Sequence, residues 1–235
     1  SGAATRLTAK GYSAGLVDAL AELLGDAEGA VTDVIDAQYG GILASTASVL
    51  TVVRQHLVQA DGSRSEYGTT FDVRLVGGDA TWRITEIHPA VPGPVAARIS
   101  RAAQAALANP RLRLPAAAQA DIKAGTIHDS VLTSLATLSQ RHTLDISVLR
   151  SGHPLLVFGT TRPSDHPHGR AADVWAIDGH PVVDPANRAL VVDFMREAHA
   201  TGPWQVGGPV DLDGAGSAYF TNPTHQDHVH LGFLS

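Results

Sequence analysis

The stretch Ser164-Asp165-His166-Pro167-His168-Gly169-Arg170-Ala171-Ala172-Asp173 decides how the second half of this chain is read, together with Asp227-His228-Val229-His230 near its end. Each segment sets imidazoles beside a carboxylate. Neutral imidazole and carboxylate form the common nitrogen and oxygen ligand set of Zn²⁺. Three protein ligands with one position left to water mark a catalytic rather than a structural zinc site. Pro167 and Gly169 disfavour regular structure over 166–170, so His166 is expected on a turn and Asp173 at the entry of a strand over 171–178. Side chains two apart on a strand share a face, so His228 and His230 should point to one site. Asp227 has the opposite parity and reaches that site only where the strand is irregular at its start.

Working outward, Leu144, Ile146 and Val148 alternate in a strand over 143–150, and residues 116–124 and 128–141 read as helices. Asp178-Gly179 and His180-Pro181 form a turn. Asp184 is an N-cap and Pro185 a first-turn residue for a helix over 185–200, which Gly202-Pro203 ends. A last strand is expected over 227–234. Pro110 and Pro115 mark the core of a boundary within 89–114. It divides the chain into residues 1–110 and 111–235, with a helix over 94–108 that starts at Pro94 and could serve either side.

The first unit opens on a helix over 12–25, where Leu16, Leu20, Leu23 and Leu24 form one apolar face and Gly25 is the stop. Residues 30–37 are ambiguous between strand and turn, and 44–58 read as a long strand. Phe71, Val73 and Leu75 alternate with polar residues, as do Trp82 and Ile84 beyond Gly77-Gly78-Asp79, which is a hairpin with one apolar face. The fold class is therefore α+β. The first unit, a helix on a curved antiparallel sheet, resembles the NTF2-like fold.

Composition narrows the function. The 235 residues carry a net charge of −6 and only two lysines, Lys10 and Lys123, which argues against nucleic acid or an anionic membrane as the partner. Cysteine is absent, which removes disulfides, thiolate metal sites and a cysteine nucleophile. No apolar run has the length of a transmembrane segment, and no signal peptide is visible. Eight of the twelve histidines lie in residues 153–235, which places the chemistry in the second unit.

The pattern Ser164-x-His166-x-x-Gly169-x-Ala171-x-Asp173, followed by Asp227-x-x-His230, resembles the D-alanyl-D-alanine carboxypeptidases and endopeptidases of the lysostaphin, D-Ala-D-Ala and hedgehog-type zinc metallopeptidases. The likeness covers about residues 115–235. It implies a central antiparallel sheet with flanking helices, Zn²⁺ as cofactor, and His166, Asp173 and His230 as its ligands. It also implies a base three positions before the last ligand, here Asp227, where many carboxypeptidase members have Glu. The His-x-His pattern of the endopeptidase branch makes His228 the alternative catalytic imidazole. Arg162 is the favoured cation for the developing oxyanion, and Arg150 the second candidate. Ser164, His153 and Arg150 are candidates on the substrate side; His153 either lines the cleft or caps a turn. The implied substrate is peptidoglycan stem peptide, and the implied location is outside the cytoplasm, in the periplasm or cell wall of a bacterium.

His168, two residues from a ligand, is read as supporting a ligand or exposed to solvent rather than ligating. His225 is read as an ordinary loop histidine, with a lid residue as the alternative, and His56, His88, His128, His142, His180 and His199 as structural. The rival function is a zinc-containing cell-wall-binding or protein-interaction module without peptidase activity.

Overall fold

The structure, a computed structural model, describes residues 2–24, 27–78 and 81–235. Two short helices, α1 (Gly2–Ala9) and α2 (Ala14–Leu24), open the chain. Leu16 and Val17 of α2 are buried. The side chains of Leu20, Leu23 and Leu24, the stop at Gly25 and the turn residue Asp79 lie outside the described residues.

Four long strands follow as an antiparallel meander: β1 (Gly29–Ile42), β2 (Thr46–Val58), β3 (Arg64–Gly78) and β4 (Thr81–Pro89), in the order β1-β2-β3-β4. β2 is central, and its Leu50, Val52 and Val53 are buried. The ambiguous 30–37 segment is the first half of β1. Its alternation is illegible because β1 is an edge strand that exposes Val31 and Val34, and its register slips between Val34 and Asp36 and again between Tyr39 and Gly41. Such bulges bend a strand and re-aim its side chains.

The helix expected over 94–108 begins only at Arg101. Ser100 caps it, its hydroxyl accepting from the Ala103 N–H at 3.0 Å, and residues 91–100 form no helix. A helix from Pro94 would gain little burial, since Val95 is 76% exposed. This helix, α3 (Arg101–Ala108), packs into the C-terminal core through Ala103 and Ala106.

The rest of the chain builds a second sheet. β5 (Leu112–Arg113), α4 (Ala116–Lys123), α5 (Asp129–Leu138), β6 (Leu144–Val148), β7 (Ala171–Ile177), β8 (His180–Pro181), α6 (Arg188–His199), β9 (Gln205–Gly207), β10 (Tyr219–Phe220) and β11 (Val229–Gly232) follow in order. The strands run β10-β9-β11-β7-β6-β5, with β8 beside β7. The centre of this sheet is antiparallel, and the outer pairs β10–β9 and β5–β6 are parallel. The whole is an α+β structure. Phe194 and Met195 of α6, Leu132 and Leu135 of α5, and Leu144, Ile146 and Leu231 of the sheet form one buried core.

Several elements are shorter than the sequence suggests. The 128–141 helix stops at Leu138, the 185–200 helix opens with a 3-10 turn at Pro185–Asn187, and the last strand covers only Val229–Gly232. The two-residue and three-residue strands β5, β8, β9 and β10 are too short for any periodicity to register. No helix among the described residues is long and apolar enough to cross a membrane.

The N-terminal sheet lies directly against the second sheet and its loops. Gly41 of β1 is covered so closely by Phe158 that an added Cβ would sit 2.1 Å from the Phe158 Cβ. The Arg74 guanidinium, from β3, stacks over the same ring at 5.3 Å. Gly152, at φ +89°, leaves an ideal Cβ only 3.0 Å from Thr70 of β3.

One backbone position fixes the turn that carries His166. Gly169 closes the 3-10 turn His166–His168 at φ 69°, ψ 22°, and its carbonyl accepts the His128 N–H at 2.9 Å. A Cβ there would fall 1.9 Å from the Thr126 carbonyl oxygen. Left-handed backbone costs an L-residue roughly 1–2 kcal/mol before any clash. Gly169→Ala is therefore expected to lower the unfolding free energy by about 2 kcal/mol or more, read from urea denaturation. A loss below about 0.5 kcal/mol would contradict this account of the turn.

Candidate metal centre

His166 sits on the turn, Asp173 on β7 and His230 on β11. β7 and β11 pair antiparallel with His230 directly opposite Asp173, so the sheet register itself puts these two side chains together. The His166 Nδ1–H donates to the Leu149 carbonyl at 2.8 Å, which leaves Nε2 as a lone pair in the neutral ring. That Nε2 lies 3.2 Å from Asp173 Oδ1 and 3.3 Å from His230 Nδ1. His230 Nδ1 is 2.9 Å from the same Oδ1. Donor atoms at about 2.0–2.1 Å from a tetrahedral ion stand roughly 3.3 Å apart, close to what these three show. Each imidazole nitrogen offers a cation a lone pair when the other nitrogen of its ring holds the proton. The donor set therefore fits a metal ion.

His153 belongs to this cluster rather than only to the cleft wall. Its ring stacks on His166 with centroids 4.1 Å apart, and its Nδ1–H donates to the Pro154 carbonyl at 2.8 Å. Donor atoms of His153, His166 and Asp173 all lie within 4.8 Å of one another, so these three can also hold a metal ion. The two sets share His166 and Asp173.

The cluster forms one wall of a cleft of about 490 Å³. His228 and His230 both line it, together with Phe220 and His225, although His228 lies just before β11 and not in it. Asp227 is not among the lining residues. Its Oδ1 accepts the His228 Nδ1–H at 2.7 Å and its Oδ2 accepts the Tyr39 backbone N–H at 2.9 Å. It thus stands behind His228, whose Nε2 lies 3.7 Å from Asp173 Oδ2. Arg162 is exposed and lines the cleft, as does the buried Ser164, whose hydroxyl accepts the His166 N–H at 3.4 Å. Arg150 does not line it. Its Nε donates to the Pro167 carbonyl at 3.2 Å and its Nη1 is 3.8 Å from Asp121, so it braces the turn under His166 instead of facing a substrate. His168 is exposed, as expected.

The charge states follow from burial and neighbours. Burial alone would raise the Asp173 carboxyl, but the surrounding imidazoles of His166, His228 and His230 hold it well below the usual carboxylate range. Burial pulls His153 and His225 well below the ordinary imidazole value and lowers His230 as well. His228 goes the other way: burial lowers it, but the carboxylates of Asp173, Asp227 and Asp36 outweigh that and raise it. An ionised carboxylate is the form in which Asp173 can bind a divalent cation.

Three further contributors come from β1, and the sequence carried no sign of them. Gln38 is 1% exposed; its amide donates to Asp173 Oδ2 at 2.7 Å, and its carbonyl accepts from Ser147. Tyr39 supplies the backbone N–H to Asp227. Asp36 turns toward the same carboxylates, with its Oδ2 buried and unpartnered. These residues sit in an edge strand without a motif, more than a hundred positions from the residues they meet. His225, read as an ordinary loop histidine, also belongs here, its ring 4.9 Å from that of His228 and 5.6 Å from that of His230.

Asp36 yields a pH prediction. Burial first, then the Asp227 charge, push its carboxyl from 3.8 up to about 7. A raised acid favours the folded state while protonated, so its cost is absent below about pH 3.8, grows through the interval and is complete above about pH 7. The shift sets an upper limit of about 4 kcal/mol. In EDTA, Asp36→Asn should be more stable than wild type at pH 8, and the gain should shrink by pH 5. Urea denaturation at both pH values measures this, and an equal difference at both would contradict it.

No protein-family model matches this chain, and no curated protein or solved structure matches it either.

Proposed function

We propose that this chain is a zinc-dependent peptidase that hydrolyses peptidoglycan stem peptides or related D-amino-acid peptides. The observation that carries the reading is the convergence of His166 Nε2, Asp173 Oδ1 and His230 Nδ1 within 2.9–3.3 Å of one another on the wall of a cleft. The same reading takes the C-terminal sheet and its helices as a hedgehog-type, D-Ala-D-Ala-peptidase-like unit. It takes the N-terminal sheet as NTF2-like. A peptidoglycan substrate would place the protein outside the cytoplasm.

His166, Asp173 and His230 would hold the ion, with net charge +1 at the site. When bound, zinc supplies Lewis acidity, lowering the pKa of water from 15.7 toward roughly 7 and polarising a carbonyl. The protein's own part is to move a proton and to steady charge. His228 faces the cleft with Nε2 toward the centre, so it is the group placed to take the proton from the attacking water and return it to the leaving amine. Asp227 holds the His228 ring through Nδ1, which sets its tautomer. Positive charge brought beside Asp173 opposes the protonated form of His228 and leaves the ring able to accept. Arg162, exposed at the cleft, is placed to meet the developing oxyanion or a substrate carboxylate.

Elemental analysis of the purified protein should find one zinc per chain. His166→Ala and His230→Ala should each lose it. His228→Ala should retain zinc while its turnover falls by roughly 10²–10⁴. The assay is mass spectrometry of muropeptides digested with and without zinc: a lost terminal alanine identifies a carboxypeptidase, and split cross-links identify an endopeptidase. Zinc without any new amine would overturn the peptidase reading in favour of a wall-binding module.

A further inference from the structure

Strand β1 of the N-terminal sheet penetrates the metal centre of the C-terminal half. We propose that Gln38 is a positioning residue for the metal ligand Asp173, holding Oδ2 so that Oδ1 alone is presented to the ion. The proposal rests on the metal-centre reading above and adds a residue from the other sheet to it.

The geometry is one-sided. Asp173 Oδ1 faces His166 Nε2 at 3.2 Å and His230 Nδ1 at 2.9 Å, while Oδ2 takes the Gln38 amide at 2.7 Å. A carboxylate held on one oxygen by a donor binds metal through the other, and its plane is fixed. Gln38 is itself fixed. Its carbonyl accepts from the Ser147 hydroxyl, and Ser147, on β6, is fully buried and also lies 3.3 Å from the Asp173 carbonyl. A buried amide costs stability unless both of its ends are bonded, and here both are. The chemistry of the donor matters too. An amide orients a carboxylate without neutralising it, whereas lysine or arginine at this position would compete with the cation for the same charge. The bulges that flank this part of β1, between Val34 and Asp36 and between Tyr39 and Gly41, re-aim the strand toward the second sheet.

Gln55, on the neighbouring strand β2, is a matched control. It is 7% exposed and its amide donates to Thr32 at 3.3 Å, away from the centre. The test is a competition titration of the full chain with Zn²⁺ against a chromophoric chelator, paired with the visible spectrum of the Co²⁺-loaded protein. Gln38→Leu should bind Zn²⁺ roughly 10- to 100-fold more weakly than wild type and change the cobalt bands, because Asp173 can then rotate or offer both oxygens. Gln55→Leu should stay within about twofold of wild type with the same spectrum. Ser147→Ala, which frees the Gln38 amide without emptying its position, should weaken binding by a smaller factor; it carries the test should Gln38→Leu fail to fold. Unchanged affinity and spectrum in Gln38→Leu, or in Ser147→Ala where that variant carries the test, would overturn the proposal alone, as would an equal loss in Gln55→Leu. A wild-type chain that takes up neither ion would overturn the metal-centre reading beneath it.

Discussion

The Asp173 carboxylate is 1% exposed, yet it is held in its ionised form. Removing such a group from water costs several kcal/mol unless charge and hydrogen bonds replace the solvent. Much of the second sheet's arrangement around the site answers that requirement. The β7–β11 register sets His230 opposite Asp173, the turn closed by Gly169 sets His166 over the same oxygen, and Arg150 and the Leu149 carbonyl keep that turn and ring in place. The resulting cluster brings imidazole nitrogens and a carboxylate oxygen close enough to share a metal ion.

The two sheets form a continuous structure at the cleft. Gln38 reaches Asp173, the Tyr39 N–H reaches Asp227, and Phe158 lies on Gly41. The N-terminal sheet thereby supplies part of the polar environment of the centre and one wall of its cleft. A strand edge suits this role, because β1 pairs with β2 on one side only and its bulges free side chains and backbone groups from the ladder. Asp36 shows the cost of such an arrangement. Packed near Asp173 and Asp227, it has an oxygen without a partner, a buried polar group of the kind that concentrates at working sites.

Much of the fold could be read in the sequence where periodicity runs for several residues. The β3–β4 hairpin and the strand β6 announce themselves by apolar alternation, and α6 by the cap and stop residues around it. Residues 30–37 do not, because an edge strand with an exposed apolar side and two bulges breaks the period that reading depends on. The helix is shorter than 94–108 because Pro94 is only a permissible first-turn residue, whereas Ser100 is the cap that the backbone uses. Arg150 illustrates a different limit: a cation at a strand end is equally consistent with a substrate contact and with bracing a neighbouring turn.

By itself, the sequence determined the chemical types and part of the local geometry of the centre: imidazoles and carboxylates in two short motifs, and a turn forced by Pro167 and Gly169. These are properties of bonded neighbours, and spacing along the chain is enough to read them. The tertiary structure alone decided that His153 joins the donor cluster, that Asp227 stands behind His228, and that Gln38 and Asp36 belong to the site. Those relations depend on sheet register and on two sheets meeting across more than a hundred residues, and no short-range pattern encodes them.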